Sequence, residues 1–206
     1  MFAVEDLGRA TYETSWARQK AVLAEVIAGA PGRILMVEHE PVYTLGRRRG
    51  AHTNVIEAGS VPVIEVERGG DVTYHGPGQI TVYPIVALPE GRQDLHRHLR
   101  DLEEAAIRTC ADFGLIAQRD PRNSGAWVND RKICSVGIAC RHWVTWHGLA
   151  LNVSVDLTAF RAINPCGLAP ELITSLHHEL ETAPTMETVK ERVVAHLCEL
   201  LPLPAP

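Results

Sequence analysis

Cys166 lies in Ile163-Asn164-Pro165-Cys166-Gly167, between a proline and a glycine, in a turn-prone loop after a strand-like run. A thiol on such a kink is displayed for attack rather than for packing. The other four cysteines, Cys110, Cys134, Cys140 and Cys198, sit in apolar, periodic stretches. There a thiol usually acts as a small hydrophobe. A second chemical group is Lys132. The 20 basic residues include only the lysines at 20, 132 and 190; the rest are arginines. Arginine stays protonated in any protein site, whereas a desolvated lysine can lose its proton. Lys20 and Lys190 fall in helical stretches, but Lys132 opens the apolar run Ile133-Cys134-Ser135-Val136-Gly137-Ile138.

An ammonium beside a thiol stabilises the thiolate and lowers its pKa from ~8.5 toward neutrality. The same amine can carry protons between nucleophile and leaving group. Cys166 and Lys132 therefore form a candidate dyad. A cysteine–histidine pair is the usual competitor, and His75, His147, His177 and His178 stay open on spacing alone.

The third feature is the cassette Arg68-Gly69-Gly70-Asp71-Val72-Thr73-Tyr74-His75-Gly76-Pro77-Gly78-Gln79. Its glycines permit positive φ and close approach of a ligand to the backbone. It is neither a P-loop nor a dinucleotide fingerprint, since the Gly-Lys-Ser/Thr and Gly-x-Gly-x-x-Gly spacings are missing. It reads as a binding loop, not as ordinary strand or helix. Arg68, Tyr74, His75 and Gln79 crowd one turn, more than a plain reversal needs. The run Arg47-Arg48-Arg49 reads as a solvated loop or a small basic patch for an acidic protein partner.

The elements that must carry these groups follow from periodicity. Thr11 to Ala28 reads as a helix with Tyr12, Trp16, Leu23 and Ile27 on one face, stopped at Gly29. Asp94 to Phe113 and Thr185 to Leu200 read as two more, with Cys110 on an apolar face. Strands are expected at Arg33–Val37, Val42–Leu45, Val61–Val66, Ile80–Leu88, Gly125–Val128, Lys132–Cys140 and Gly148–Val155, the last three as antiparallel neighbours. Without strict βαβ alternation this predicts one α+β domain over residues 1–206, a mixed or antiparallel sheet packed with helices. With 46% hydrophobic and 22% charged residues, the composition is that of a soluble globular chain. A net charge of -5 argues against nucleic acid. No apolar run approaches the ~20 residues of a membrane span, and the N-terminus lacks the apolar core of a signal peptide. Five cysteines without a Cys-x-x-Cys pair predict no disulfide framework and no zinc site. A reducing cytoplasm and a monomer are expected.

At these residues the chain resembles the lipoyl(octanoyl) transferases. The resemblance rests on Arg68–Gln79, Lys132–Gly137 (KICSVG), His147–Val153 (HGLALNV) and Ile163–Gly167 (INPCG), and more loosely on Val42–Gly46. It implies the mixed α/β domain shared with biotin and lipoate protein ligases. It also implies transfer of an octanoyl group from acyl carrier protein to a lysine of a lipoyl domain in a 2-oxoacid dehydrogenase E2 subunit or of the glycine cleavage H protein. The family's acyl-bearing cysteine falls on Cys166 and its activating lysine on Lys132. Its substrate-binding stretches fall on Arg68, Gly69, Gly70, Asp71, Val72, Thr73, Tyr74 and His75, on Ser135, Val136 and Gly137, and on Gly148, Leu149 and Ala150. No cofactor or metal is implied. The rival readings are an ATP-dependent lipoate or biotin ligase on the same fold, an acyl thioesterase, and a non-catalytic acyl-carrier binding module.

Overall fold

The computed structural model describes residues 2–164 and 169–202. Among the described residues, nine strands, β1 (Ala3–Ala10), β2 (Arg33–His39), β3 (Val42–Leu45), β4 (Val63–Glu65), β5 (Val72–His75), β6 (Gln79–Ala87), β7 (Gly125–Val128), β8 (Arg131–Arg141) and β9 (Val144–Asn152), form two sheets. The larger runs β1-β2-β6-β9-β8-β7 and the smaller β4-β3-β5. Among the strand pairs of the described residues, β1–β2 and β3–β4 are parallel, and the β7–β8–β9 stretch is antiparallel, as the sequence predicts.

Strand alternation divides the apolar residues of the large sheet between two cores. On β6, Ile80, Val82 and Val86 face one side, whereas Tyr83 and Ile85 face the other. Helix α2 (Leu95–Asp112) and helix α4 (Met186–Leu200) cover the first side, with Leu102, Ala106, Cys110, Val189, Val193 and Leu197 buried against it. Asp94 and Thr185 cap these helices by accepting N–H bonds in the first turn. Helix α1 (Tyr12–Ile27) covers the second side with Val22, Leu23 and Val26. Each fully buried aliphatic side chain contributes about 1.5–3 kcal/mol. A third core lies under the small sheet, where Tyr43, Leu45, Val72 and Tyr74 meet Phe160 and Ile163.

The structure departs from the sequence expectation in three places. Strand β1 is an edge strand whose acids, exposed valine and glycine show no clean alternation. The cassette is not irregular throughout: Val72–His75 form β5, paired with β3. Strand β9 begins at Val144 rather than Gly148, because a tight hairpin places His142 and Trp143 at φ 51° and 57°. Such turns are usually signalled by Asn-Gly or Asp-Gly, and His-Trp carries no such signal.

His98, on α2, is buried with both ring nitrogens unpaired. Burial pulls its pKa down from 6.5 to about 4. The folded state therefore binds fewer protons than the unfolded state between those values. Stability from this group is complete above pH 6.5 and falls as pH drops toward 4. His98→Leu is expected to raise Tm at pH 5 by more than at pH 7.5, flattening the acid limb of a calorimetric pH series. An equal shift at both pH values would contradict the assignment.

Candidate active site

A cavity of about 490 Å³ opens along β8 beyond the short strand β7. The cassette closes over it: Gly69 N–H donates to Ile138 O at 2.8 Å, across the free edge of β8. Gly137 packs against this crossing, since a Cβ there would come within 3.1 Å of Gly69 O. On the sheet floor, Ser135 pairs with Ala150 and Ala150 with Thr81, while Gly137 pairs with Gly148. These small residues leave room for a ligand lying across the strands. Leu95 and Leu99 of α2 and Ile138 add apolar wall.

The cassette divides by strand alternation. Thr73 and His75 face the cavity, together with Arg68, Gly69 and Gly70 of the preceding loop. Val72 and Tyr74 point the opposite way into the third core. Asp71 is buried outside the cavity, held by Asn54 Nδ2 at 2.7 Å and by Arg48 at 3.2 Å. Asp71, Val72 and Tyr74, members of the expected substrate-binding stretch, do not line this cavity. Ser135, Val136, Gly137, Gly148, Leu149 and Ala150 all do.

A hydrogen-bond chain fixes the polar wall. Arg68 donates to Thr44 O at 2.8 Å and to Thr44 Oγ1 at 2.9 Å. Thr44 Oγ1 meets His75 Nε2 at 3.3 Å, and His75 Nδ1 meets Gln79 Oε1 at 2.7 Å. Gln79 Nε2 donates to Tyr74 O and Asn152 Oδ1, so Gln79 Oε1 accepts. His75 therefore carries its proton on Nδ1, and Thr44 donates to Nε2. Burial holds His75 neutral, with its pKa drawn down to about 4. His147, at φ 58° and stacked on Trp146, is likewise held neutral, its pKa drawn down to about 3 by burial, Arg68 and His75. Both histidines line the cavity, but such low pKa values make them poor bases at neutral pH. His177 and His178 lie on the exposed flank of helix α3 (Leu176–Glu179).

Lys132 is buried and lines the same cavity. The β7–β8 register shifts between Ala126 and Trp127, so that Lys132 pairs with Trp127 and Cys134 with Ala126. Bulges re-aim side chains. Here Lys132 reaches the cavity with Ser135, although the two differ in strand parity, while Cys134 stays in the first core. The Lys132 amine donates to Asn123 Oδ1 and lies 5.9 Å from the Trp127 ring centroid.

Cys166 lies outside the described residues, but the chain on either side is anchored. Asn164 N–H donates to Asn54 O at 2.8 Å, and Ile163 bridges Val55. Downstream, Ile173 bridges Lys132, and Thr174 N–H donates to Lys132 O at 2.9 Å. Asn152 Nδ2 donates to Thr174 O, joining this crossing to the Gln79–His75 chain. Sequence reasoning missed Thr44, Asn123 and Asn152. Asn152 stands inside HGLALNV, where a polar residue in an apolar run is a readable signal; Thr44 and Asn123 carry none.

The fold is the one seen in lipoate-protein and biotin protein ligases. At a TM-score of 0.81 the chain matches a lipoate-protein ligase A bound with ATP, covering 97% of this chain and 85% of that one at 16% identity. A biotin protein ligase from Aquifex aeolicus matches at 0.58 with 10% identity, covering 97% and 68%. The lipoyl protein ligase A/B catalytic domain model matches residues 11–198, and the chain belongs to that family. Similar curated proteins are octanoyltransferases. That of Geobacter metallireducens is 48% identical over 84% of this chain and 81% of its own length. That of Geotalea uraniireducens is 43% identical over 96% and 94%, and that of Mycobacterium tuberculosis 40% over 96% and 86%. No helix among the described residues is long and apolar enough to cross a membrane.

Proposed function

We propose that this single-domain chain is an octanoyltransferase of protein lipoylation, working through an acyl thioester on Cys166 with Lys132 as its proton carrier. The observation that carries the reading is the buried Lys132 amine, aimed into a cavity that the cassette closes. The curated relatives named octanoyltransferase support the reaction class.

Cys166 Sγ, held as thiolate by the Lys132 ammonium, attacks the carbonyl carbon of octanoyl-acyl carrier protein. The new C–S bond forms as the carbonyl π pair moves to oxygen. Collapse expels the carrier thiolate, which takes a proton from Lys132. A neutral lysine amine of a lipoyl domain then attacks the acyl-enzyme. The C–N bond forms, the C–S bond to Cys166 breaks, and the amine proton passes to Lys132. Thiolate and ammonium are thereby restored, and the thioester supplies the driving force. The octanoyl chain would lie along Leu149, Val136 and Ala150, gaining about 0.8 kcal/mol per buried CH₂.

The described surroundings of three of the other four cysteines favour Cys166. Burial pushes the Cys110 thiol up to about 12 and the Cys134 thiol far up as well, and it also raises Cys140. None of these is poised as a thiolate at neutral pH. The test is intact-protein mass spectrometry after mixing with octanoyl-acyl carrier protein, alongside Cys166→Ala. The expected result is a gain of one octanoyl group on wild type and none on Cys166→Ala. Transfer of that group to a lipoyl domain, rather than release as octanoate, separates transferase from thioesterase. No adduct on folded wild-type protein would overturn the Cys166 mechanism.

A further inference from the structure

Glu103 is a carboxylate on the buried face of α2, among Leu102, Ala105 and Ala106. An ionised carboxylate is costly to bury unless it is paired and hydrogen-bonded. Its two oxygens have separate partners. Oε2 accepts from Arg119 Nε at 3.1 Å, and Oε1 accepts from the backbone N–H of Gly125 at 3.0 Å. Gly125 opens β7 at φ 148°, in a conformation that side chains rarely adopt. A Cβ there would collide with Cys134 O and come within 2.7 Å of Lys132 Cε. The Lys132 arm therefore passes directly over Gly125. Two residues earlier, Asn123 Oδ1 accepts the hydrogen bond from the Lys132 amine at the end of that arm. One short turn thus both floors the lysine's methylenes and takes a hydrogen bond from its nitrogen. Glu103 ties the turn to α2.

We propose that Glu103 is a positioning residue, fixing the 123–125 turn so that the Lys132 amine stays where the reaction needs it. This inference rests on the role given to Lys132 above. A misplacement of about 1 Å in a catalytic group can cost on the order of 10²-fold, and one lost anchor at Gly125 is enough to allow that.

The test compares wild type, Lys132→Ala, Glu103→Ala, Glu103→Gln and Glu103→Asp by the pH dependence of acyl-enzyme formation. Thermal melts run in parallel. Glu103→Ala is expected to slow acylation by about 10–10²-fold. Its acid limb should move up in pH, in the same direction as that of Lys132→Ala. A thiol that loses its ammonium drifts back toward ~8.5. Glu103→Gln keeps an oxygen for Gly125 N–H and should stay near wild type in both readouts. Where Glu103→Ala does not fold, Glu103→Asp carries the test. It keeps the charge but draws the oxygens back from Gly125, so a tenfold loss with a raised limb supports the proposal. A Glu103→Ala or Glu103→Asp enzyme with wild-type rate and limb overturns it, as does a lower rate with an unmoved limb. A wild-type protein that forms no acyl-enzyme would instead sink the Lys132 reading itself.

Discussion

Lys132→Ala is expected to lower the rate of acyl-enzyme formation by about 10²–10⁴-fold, the range that positioned proton transfer supplies. Two losses combine. Without the ammonium, the nucleophilic thiol returns toward its ordinary ~8.5, so little thiolate exists at neutral pH. The carrier thiolate also leaves without its proton. The sign of the pH effect follows. Wild-type acylation should reach its plateau well below pH 8.5, whereas the Lys132→Ala rate should still be rising there. Lys132→Arg separates the two roles. Its guanidinium can hold a thiolate but does not give up a proton. Acylation should therefore recover in part, while transfer to the lipoyl domain, which needs a neutral base, should remain blocked. Rapid-quench mass spectrometry of the two half-reactions would show this as acyl-enzyme that accumulates and does not turn over. Full transfer activity in Lys132→Arg would remove Lys132 from the proton-carrying role.

Much of this architecture is legible in the chain before any coordinates. Helix α2 was readable because Leu102, Ala106 and Cys110 recur at helical spacing and Asp94 provides a cap. The β7–β8 pairing was readable from the adjacent strand-like runs Gly125–Val128 and Lys132–Cys140, and the structure closes it with Asn129 and Asp130 at φ 48° and 62°. Lys132 stood out by composition alone. What sequence could not give was direction. Taken as one loop, the cassette offers eight binding residues. Taken as a strand from Val72, its period-two alternation sends Thr73 and His75 to the cavity and Val72 and Tyr74 to the core. The glycines around it obscured that period. The bulge opposite Ala126–Trp127 was equally hidden, because no residue there departs from ordinary strand chemistry. Yet that bulge brings Lys132 to the side of Ser135. Pairings remote in sequence, such as Glu103 with Gly125 or Asn152 with Thr174, have no local signature at all.

Gly125→Ala is expected to be the most damaging single methyl group near the site. Gly125 sits at φ 148°, where a Cβ is strained by about 1–3 kcal/mol whatever the surrounding space. Here the space is also filled. The added carbon would collide with the Cys134 carbonyl oxygen and come within 2.7 Å of Lys132 Cε. The Cys134 carbonyl belongs to the β7–β8 ladder and cannot swing away as a side chain would. Relief must therefore come from moving the β7 end of the hairpin, which weakens the Glu103–Gly125 bond, or from turning the lysine. The first costs stability and the second costs catalysis. A loss of about 2–4 kcal/mol corresponds to roughly 4–16 °C in Tm for a chain of this size, with acyl-enzyme formation down by on the order of 10²-fold. A Gly125→Ala protein that melts and acylates like wild type would mean that the turn yields freely. In that case Lys132 would owe its position to the bulge in β8 and to the Ile173 crossing alone.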